Sequence, residues 1–125
     1  MENEQANTAP RITLDDINAN IVSEHYFIGG DGIYGAAAKV GDNSVQAFPQ
    51  ALDLLTFCVL VLRNGFTVTG ESACASPEIF DDEIGRKIAR GNAINKIWPL
   101  MVYSLKQRLA DNDNCEQLPI CCDIG

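Results

Sequence analysis

The sequence predicts an α+β domain: an amphipathic N-terminal helix, a central antiparallel β-hairpin open to a third strand, and a long kinked C-terminal helix. Three observations carry this expectation. The apolar, β-branched run from Thr56 to Arg63 meets Asn64-Gly65 and then the alternating Phe66-Thr67-Val68-Thr69. Leu14, Ile17 and Ile21 recur at helical spacing, and a second helical stripe runs from Phe80 to Leu109. Alternation with a period of two marks strands, and recurrence every three or four residues marks helices.

Taken in order, residues 1–11 show no periodicity and read as a flexible tail. Thr13 can cap the first helix, Asp16 closes a capping box, and Ile12 is placed to staple onto Ile17. This helix is expected to fade between Ser23 and Tyr26. From Ile28 to Gly41 the glycine density predicts a loop with a short turn at Ala36-Ala37-Ala38. Order returns at Phe48-Pro49, and Gln50–Leu55 forms a helical turn or leads directly into the next strand.

Asn64-Gly65 predicts a two-residue type I′ turn, which would set Val61 opposite Val68 and Val59 opposite Gly70. Phe57, Val59, Val61, Phe66 and Val68 would then face the helices. Cys58, Leu60, Leu62, Thr67, Thr69 and Glu71 would form the other face, half apolar and needing cover from the first helix, a third strand or another subunit. The last helix is expected to start at Ser76 as cap with Pro77 in its first position. Phe80, Ile84, Ile88, Ile94, Trp98, Met101, Leu105 and Leu109 would form its buried stripe, with Gly91 as a close-approach point. Pro99 predicts a kink or a break into two helices. Asp111-Asn112-Asp113-Asn114 would end the element. The expected organisation is a single domain over 12–110 and a second flexible tail over 111–125.

Composition bounds the function. The chain has 125 residues, enough for one modest core, and a net charge of -8. An acidic surface argues against direct nucleic-acid binding, which needs a cationic face; it permits the role of an acidic decoy, but the plainer reading is an acidic cytoplasmic protein kept soluble by its charge. The N-terminus carries no basic start followed by an apolar run, and Phe57–Leu62 falls far short of the roughly 20 residues of a membrane span. A cytoplasmic protein with reduced thiols and no membrane association is therefore expected.

The blocks Asn64-Gly65-Phe66-Thr67-Val68-Thr69-Gly70-Glu71-Ser72-Ala73-Cys74 and Glu83-Ile84-Gly85-Arg86-Lys87-Ile88-Ala89-Arg90, with Asn92-Ala93 and Lys96-Ile97-Trp98, have a further use. They resemble a small phage and prophage family named after the gene 49 product of phage N4 and the gene 66 product of phage Sf6. Ser23-Glu24-His25-Tyr26-Phe27 is similar to the end of that family's first helix. The resemblance covers 13–109 and is tightest over 56–109. It implies a phage-encoded accessory protein made inside a bacterium, and it brings no established activity and no catalytic residues. The chain departs at Gly91 and at Met101-Val102, where relatives often carry Glu-Gly.

One cluster stands out chemically. Arg86, Lys87 and Arg90 form the only dense positive patch, and Arg86 and Arg90 share a helix face. With Glu71 and Ser72 beside them they make a candidate anion site, since guanidinium groups bind phosphate or carboxylate in bidentate fashion. The competing structural reading is helix ion pairing of Asp82 with Arg86 and Glu83 with Lys87, worth about 0.2–0.5 kcal/mol each. The residue four before Arg90 is Arg86, so Arg90 lacks such a partner.

Other constellations are weaker. Gly30-Asp31-Gly32-Ile33-Tyr34-Gly35 has the glycine spacing of a dinucleotide turn but neither a strand before it nor a βαβ unit. His25, Ser72 and Cys74 lack a nucleophile signature, so no catalytic residues and no enzyme activity are expected. Cys115, Cys121 and Cys122 lack a chelating spacing, so no metal and no cofactor are expected. Trp98, Met101 and Tyr103 read as core before interface. The expectation is thus a phage accessory protein that binds and modulates or inhibits a host bacterial factor, such as an antiviral defence component. The alternative is sequestration of a phosphate-bearing nucleotide or signal on the basic helix face. A homodimer would cover the half-apolar hairpin face.

Overall fold

The computed structural model describes residues 10–41 and 49–117, the last four by their backbone alone. The expected N-terminal tail up to residue 9, the chain beyond 117, Phe48 and the Cys115 side chain lie outside the described residues. The elements run α1 (Leu14–Asn20), β1 (Ile21–Ile28), α2 (Gly29–Lys39), a 3₁₀ turn (Gln50–Leu54), β2 (Leu55–Leu62), β3 (Thr67–Ala73), a second 3₁₀ turn (Pro77–Ile79) and α3 (Asp82–Gln117). The strands form one antiparallel sheet in the order β1-β2-β3, backed on one face by α3.

The start of α1 follows the sequence. Thr13 Oγ1 accepts the Asp16 N–H at 3.2 Å, and Asp16 Oδ2 accepts the Thr13 N–H at 2.9 Å. Ile17 is fully buried beneath it, with Ile12 packed on the same core. The helix stops after seven residues. The stretch expected to finish it, Ser23–Tyr26, lies instead in β1. Ile21-Val22 and Tyr26-Phe27-Ile28 are β-branched and aromatic, and as a strand they pair the whole free edge of β2.

The glycine-rich stretch read as a loop is also a helix, α2. Asp31 Oδ2 accepts the Ile28 N–H at 3.2 Å, and the alanine triplet carries the helix to Gly41, whose φ of +74° ends it. Gly29 is needed for packing, because a Cβ there would sit 2.9 Å from the Leu52 carbonyl oxygen.

The hairpin exists, but its register differs from the expected one by a residue. Gly65 N–H donates to Leu62 O at 2.9 Å and Leu62 N–H to Phe66 O at 2.8 Å. Those bonds enclose a three-residue loop, Arg63-Asn64-Gly65, not a two-residue one. Gly65 has φ of +89° and no non-glycine residue among the described residues has positive φ, so Asn64 does not adopt a type I′ conformation. Asn64 Oδ1 instead accepts the Phe66 N–H at 2.9 Å. Leu60 therefore opposes Val68 and Cys58 opposes Gly70. The one-residue shift turns the β2 side chains to the other face, whereas Val68 of β3 keeps the face expected for it. Thr56, Cys58, Leu60, Leu62 and Val68 are buried toward α3, while Phe57, Val59 and Val61 lie on the open face. There Phe57 stacks on Phe27 at a centroid distance of 5.4 Å.

The last helix begins later than Ser76. Pro77–Ile79 makes only a 3₁₀ turn and Phe80 is extended. Asp81 then caps α3, its Oδ1 accepting from Glu83 N–H at 2.9 Å and Ile84 N–H at 3.3 Å. The helix is continuous through Pro99 and passes the expected end at Asp111–Asn114 to reach Gln117. Its buried line keeps only part of the expected stripe: Ile94 is in the core and Trp98 and Met101 pack against it. Gly85, Ala89, Ala93 and Ile97 face the sheet, with Ile94 beside them, whereas Ile84 and Ile88 are 56% and 48% exposed. Small residues win this face because Gly70 brings β3 into backbone contact with the helix. A Cβ at Gly70 would overlap the Ala89 carbonyl oxygen and the Ala93 nitrogen. Gly91, the expected approach point, faces open space.

Two substitutions separate these glycines. Gly70→Ala is expected to destabilise by about 3 kcal/mol, through overpacking against backbone that cannot yield. Gly91→Ala is expected to stabilise by about 0.8 kcal/mol through helix propensity. Urea denaturation midpoints measure both; equal effects would contradict the seating of α3. Gly65→Ala is expected to cost about 1–2 kcal/mol for its left-handed backbone, read from the same curves.

Candidate functional site at the basic face of the last helix

The five residues of the candidate anion site do not converge. Arg86 and Arg90 project from α3 toward β1, whereas Glu71 and Ser72 belong to β3 on the opposite flank. Asn92 marks that flank, its Nδ2 donating to the Glu71 carbonyl oxygen at 2.7 Å. Lys87 is exposed beside Glu83 and Ile84.

Arg90 has a partner that local spacing did not reveal. Its Nε and Nη2 donate to Glu24 Oε2 at 3.1 and 2.9 Å, and Nη2 also donates to Asn18 Oδ1 at 3.0 Å. Tyr26 Oη donates to Glu24 Oε1 at 2.9 Å. The Arg90 hydrogen bond holds the Glu24 carboxyl below its usual range, against the opposing effect of burial. Burial, aided by the hydrogen bond to Glu24, pushes the Tyr26 phenol upward, and burial likewise raises the Cys58 thiol. The cluster joins α1, β1 and α3, and its role is structural: it commits Arg90 to the protein itself.

Arg86 is different. It lines a cavity of about 190 Å³ with Tyr26, Phe27, Ile28, Asp31, Thr56 and Asp82. The helix ion pairs that would have occupied Arg86 and Lys87 are not formed among the described residues. The cavity mouth thus presents an unpartnered guanidinium, the Tyr26 ring, a threonine and two carboxylates, while the Phe27 ring turns to the open sheet face against Phe57. Such a set can hold an anion, stack on a planar group and accept hydrogen bonds from hydroxyls or amines. Gly85 lets α3 approach here, since a Cβ at that position would lie 2.9 Å from Thr56 Oγ1.

Of these lining groups, sequence reasoning named only Arg86 as a site residue. Tyr26 and Asp31 were hidden in stretches read as helix end and loop. The β-prone spelling of Ile21–Ile28 was the available signal, because a strand there turns Tyr26 and Ile28 to the same face.

A second surface was missed altogether. Ile79, Ile84 and Ile88, with Leu54, Phe80 and Cys74, line an open groove of about 240 Å³ beside the end of β3. Ser72 lies on this groove. His25 sits on the open sheet face, its Nε2 3.1 Å from Ser23 Oγ, and Cys74 Sγ donates to the Ser76 carbonyl at 3.2 Å. Trp98 and Met101 pack partly buried against the core, whereas Tyr103 is exposed. Among the described residues no group of three or more His, Cys, Asp or Glu side chains could hold a metal ion, and no helix is long and apolar enough to cross a membrane.

A three-stranded antiparallel sheet backed by one long helix, with a guanidinium-bearing cavity at its β1 flank, defines a small α+β protein. The chain belongs to the phage protein family of N4 Gp49 and phage Sf6 gene 66, whose model matches residues 12–109. No curated protein and no solved structure matches it significantly.

The Glu24 cluster has a pH signature. A carboxyl whose folded pKa is depressed contributes stability above its unfolded value of 4.5 and loses it as pH falls through the folded value. Glu24 and Arg90 are both about one-third exposed, so the contribution is expected to stay below about 1 kcal/mol. Thermal melts of wild type and Glu24→Gln should differ at pH 7 and converge as the pH falls from 4.5 through the lowered folded value. A constant difference would remove the ion pair from the account.

Proposed function

We propose that this member of a phage protein family acts by binding, not catalysis, and that its ligand is a phosphate-bearing nucleotide or signal of the host bacterium. One observation carries the reading: the Arg86 guanidinium has no partner among the described residues and opens onto a cavity lined by Tyr26, Thr56, Asp31 and Asp82. Phosphate would pair with Arg86, a base would stack on an aromatic ring, and Asp31 or Asp82 would accept hydrogen bonds from sugar or base. Sequestering such a molecule in the bacterial cytoplasm would blunt a host defence that signals through it. A nucleotide panel screened by thermal shift tests this. At a hundredfold excess over Kd a true ligand stabilises by about 2.7 kcal/mol. For a domain of this size that is a rise in melting temperature of roughly 10 °C. Arg86→Ala should abolish the rise and Lys87→Ala should keep it. No response to any nucleotide, or a response that survives Arg86→Ala, would refute the assignment.

A second reading is favoured by a different observation, the heavy exposure of Ile79, Ile84 and Ile88 around one groove. Scattered surface apolar residues are ordinary, but a cluster of three marks an interaction surface. On this reading the protein modulates or inhibits a host bacterial protein, for example a defence component, held at the groove. Affinity capture from bacterial lysate should retain one stoichiometric protein on the wild type and lose it on Ile88→Lys. The open sheet face with Phe27, Phe57, Val59 and Val61 would suit a homodimer.

A further inference from the structure

The exposed isoleucines do not stand alone: they flank the edge of the sheet. Backbone hydrogen bonds fix which way that edge points. Leu62 pairs with Phe66 through its N–H, and Cys74 N–H donates to Leu54 O at 2.9 Å. In an antiparallel ladder such bonded pairs recur at every second residue. Val68, Gly70 and Ser72 therefore turn their backbone groups toward β2, and Thr67, Thr69, Glu71 and Ala73 turn theirs outward.

The middle of this outward edge is partly guarded. Asn92 donates to the Glu71 carbonyl from α3, taking the place a neighbouring strand's N–H would occupy, and Lys96 reaches Thr69 Oγ1 at 3.5 Å. Lysine and side-chain covers of this kind protect natural edges from pairing. Ala73 is left outside the guard. It is exposed, and neither its N–H nor its carbonyl has a partner among the described residues. The groove of Ile79, Ile84 and Ile88 opens directly beside it.

A free strand end next to an apolar slot under a helix is the arrangement that captures extended peptides, with main-chain bonds giving affinity and the slot giving specificity. The charge around the slot narrows the occupant. Asp81 lines it, Glu78 and Glu83 stand next to the lining isoleucines, and Lys87 is the one cation nearby among the described residues. The geometry points to an extended segment of a partner protein that pairs its backbone with Ala73, seats one aliphatic side chain among Ile79, Ile84 and Ile88, and carries lysine or arginine on either side. This rests on the second reading above and specifies its mode.

The test selects a displayed library of random linear peptides against the full chain. Enriched peptides should share an aliphatic residue flanked by basic ones. Ile88→Lys should weaken their binding by about tenfold or more. N-methylation of the peptide amide next to the aliphatic residue should do the same, and added salt should weaken binding progressively. Failure to enrich any peptide, enrichment of acidic peptides, or binding that ignores Ile88→Lys or the N-methyl group would overturn the inference. Lysate capture separates this from the reading it rests on. If a host protein is captured and lost on Ile88→Lys while no linear peptide binds, only the strand-pairing mode falls. If capture itself ignores Ile88→Lys, the groove is not the interface and both fall.

Discussion

The contact between Gly70 of β3 and the Ala89–Ala93 turn of α3 sets the geometry of this molecule. The helix backbone rests against the strand backbone, with no side chain between them at that point. Such an approach is open only to glycine on one side and very small residues on the other. The helix accordingly lays its line of Gly85, Ala89, Ala93 and Ile97 on the sheet, and the larger residues fill the flanks. Dispersion between closely apposed backbones and full burial of Leu60, Cys58, Ile17 and Ile97 around the contact supply the cohesion of the core.

Seating the helix on its small residues also decides what the surface offers. Residues four apart share a face, so fixing Gly85, Ala89 and Ala93 inward sends Arg86 and Arg90 to the β1 flank and Ile84 and Ile88 to the β3 flank. The two candidate surfaces are thus consequences of a single packing choice. On one flank Glu24 and Asn18 hold Arg90 while Arg86, over its cavity, has no partner among the described residues. On the other, isoleucines that would have been core under a different rotation remain open to solvent.

Much of this was legible in the sequence, and the failures have physical causes. The capping box at Thr13 and Asp16 is local, and it was read correctly. So were the α+β class, the existence of the hairpin and the long final helix. Register was lost because Asn64-Gly65 fits either a two-residue I′ turn or a longer loop with Gly65 alone in the left-handed region, and only tertiary packing chooses. The buried stripe of α3 was misplaced by weighting large apolar residues over small ones, when the close approach at Gly70 rewards alanine and glycine. The stretch Ile28–Gly41 was read as loop because glycine is a poor helix former, yet Asp31 and three alanines suffice once the segment docks on Leu52. At the candidate site Arg86 was visible as part of a basic cluster. The Glu24–Arg90 pair was not, since its members lie 66 residues apart.

The central claim is the sheet register that places Cys58 against the helix and Val59 on the open face. Thiol alkylation of the native protein, mapped by mass spectrometry, tests it directly. Cys58 has no exposed surface and its thiol is pushed up by burial, so it should remain unmodified until the protein unfolds, while the partly exposed Cys74 reacts. A cysteine introduced as Val59→Cys should react readily. Alkylation of native Cys58 as fast as Cys74, with protection at position 59, would contradict the account.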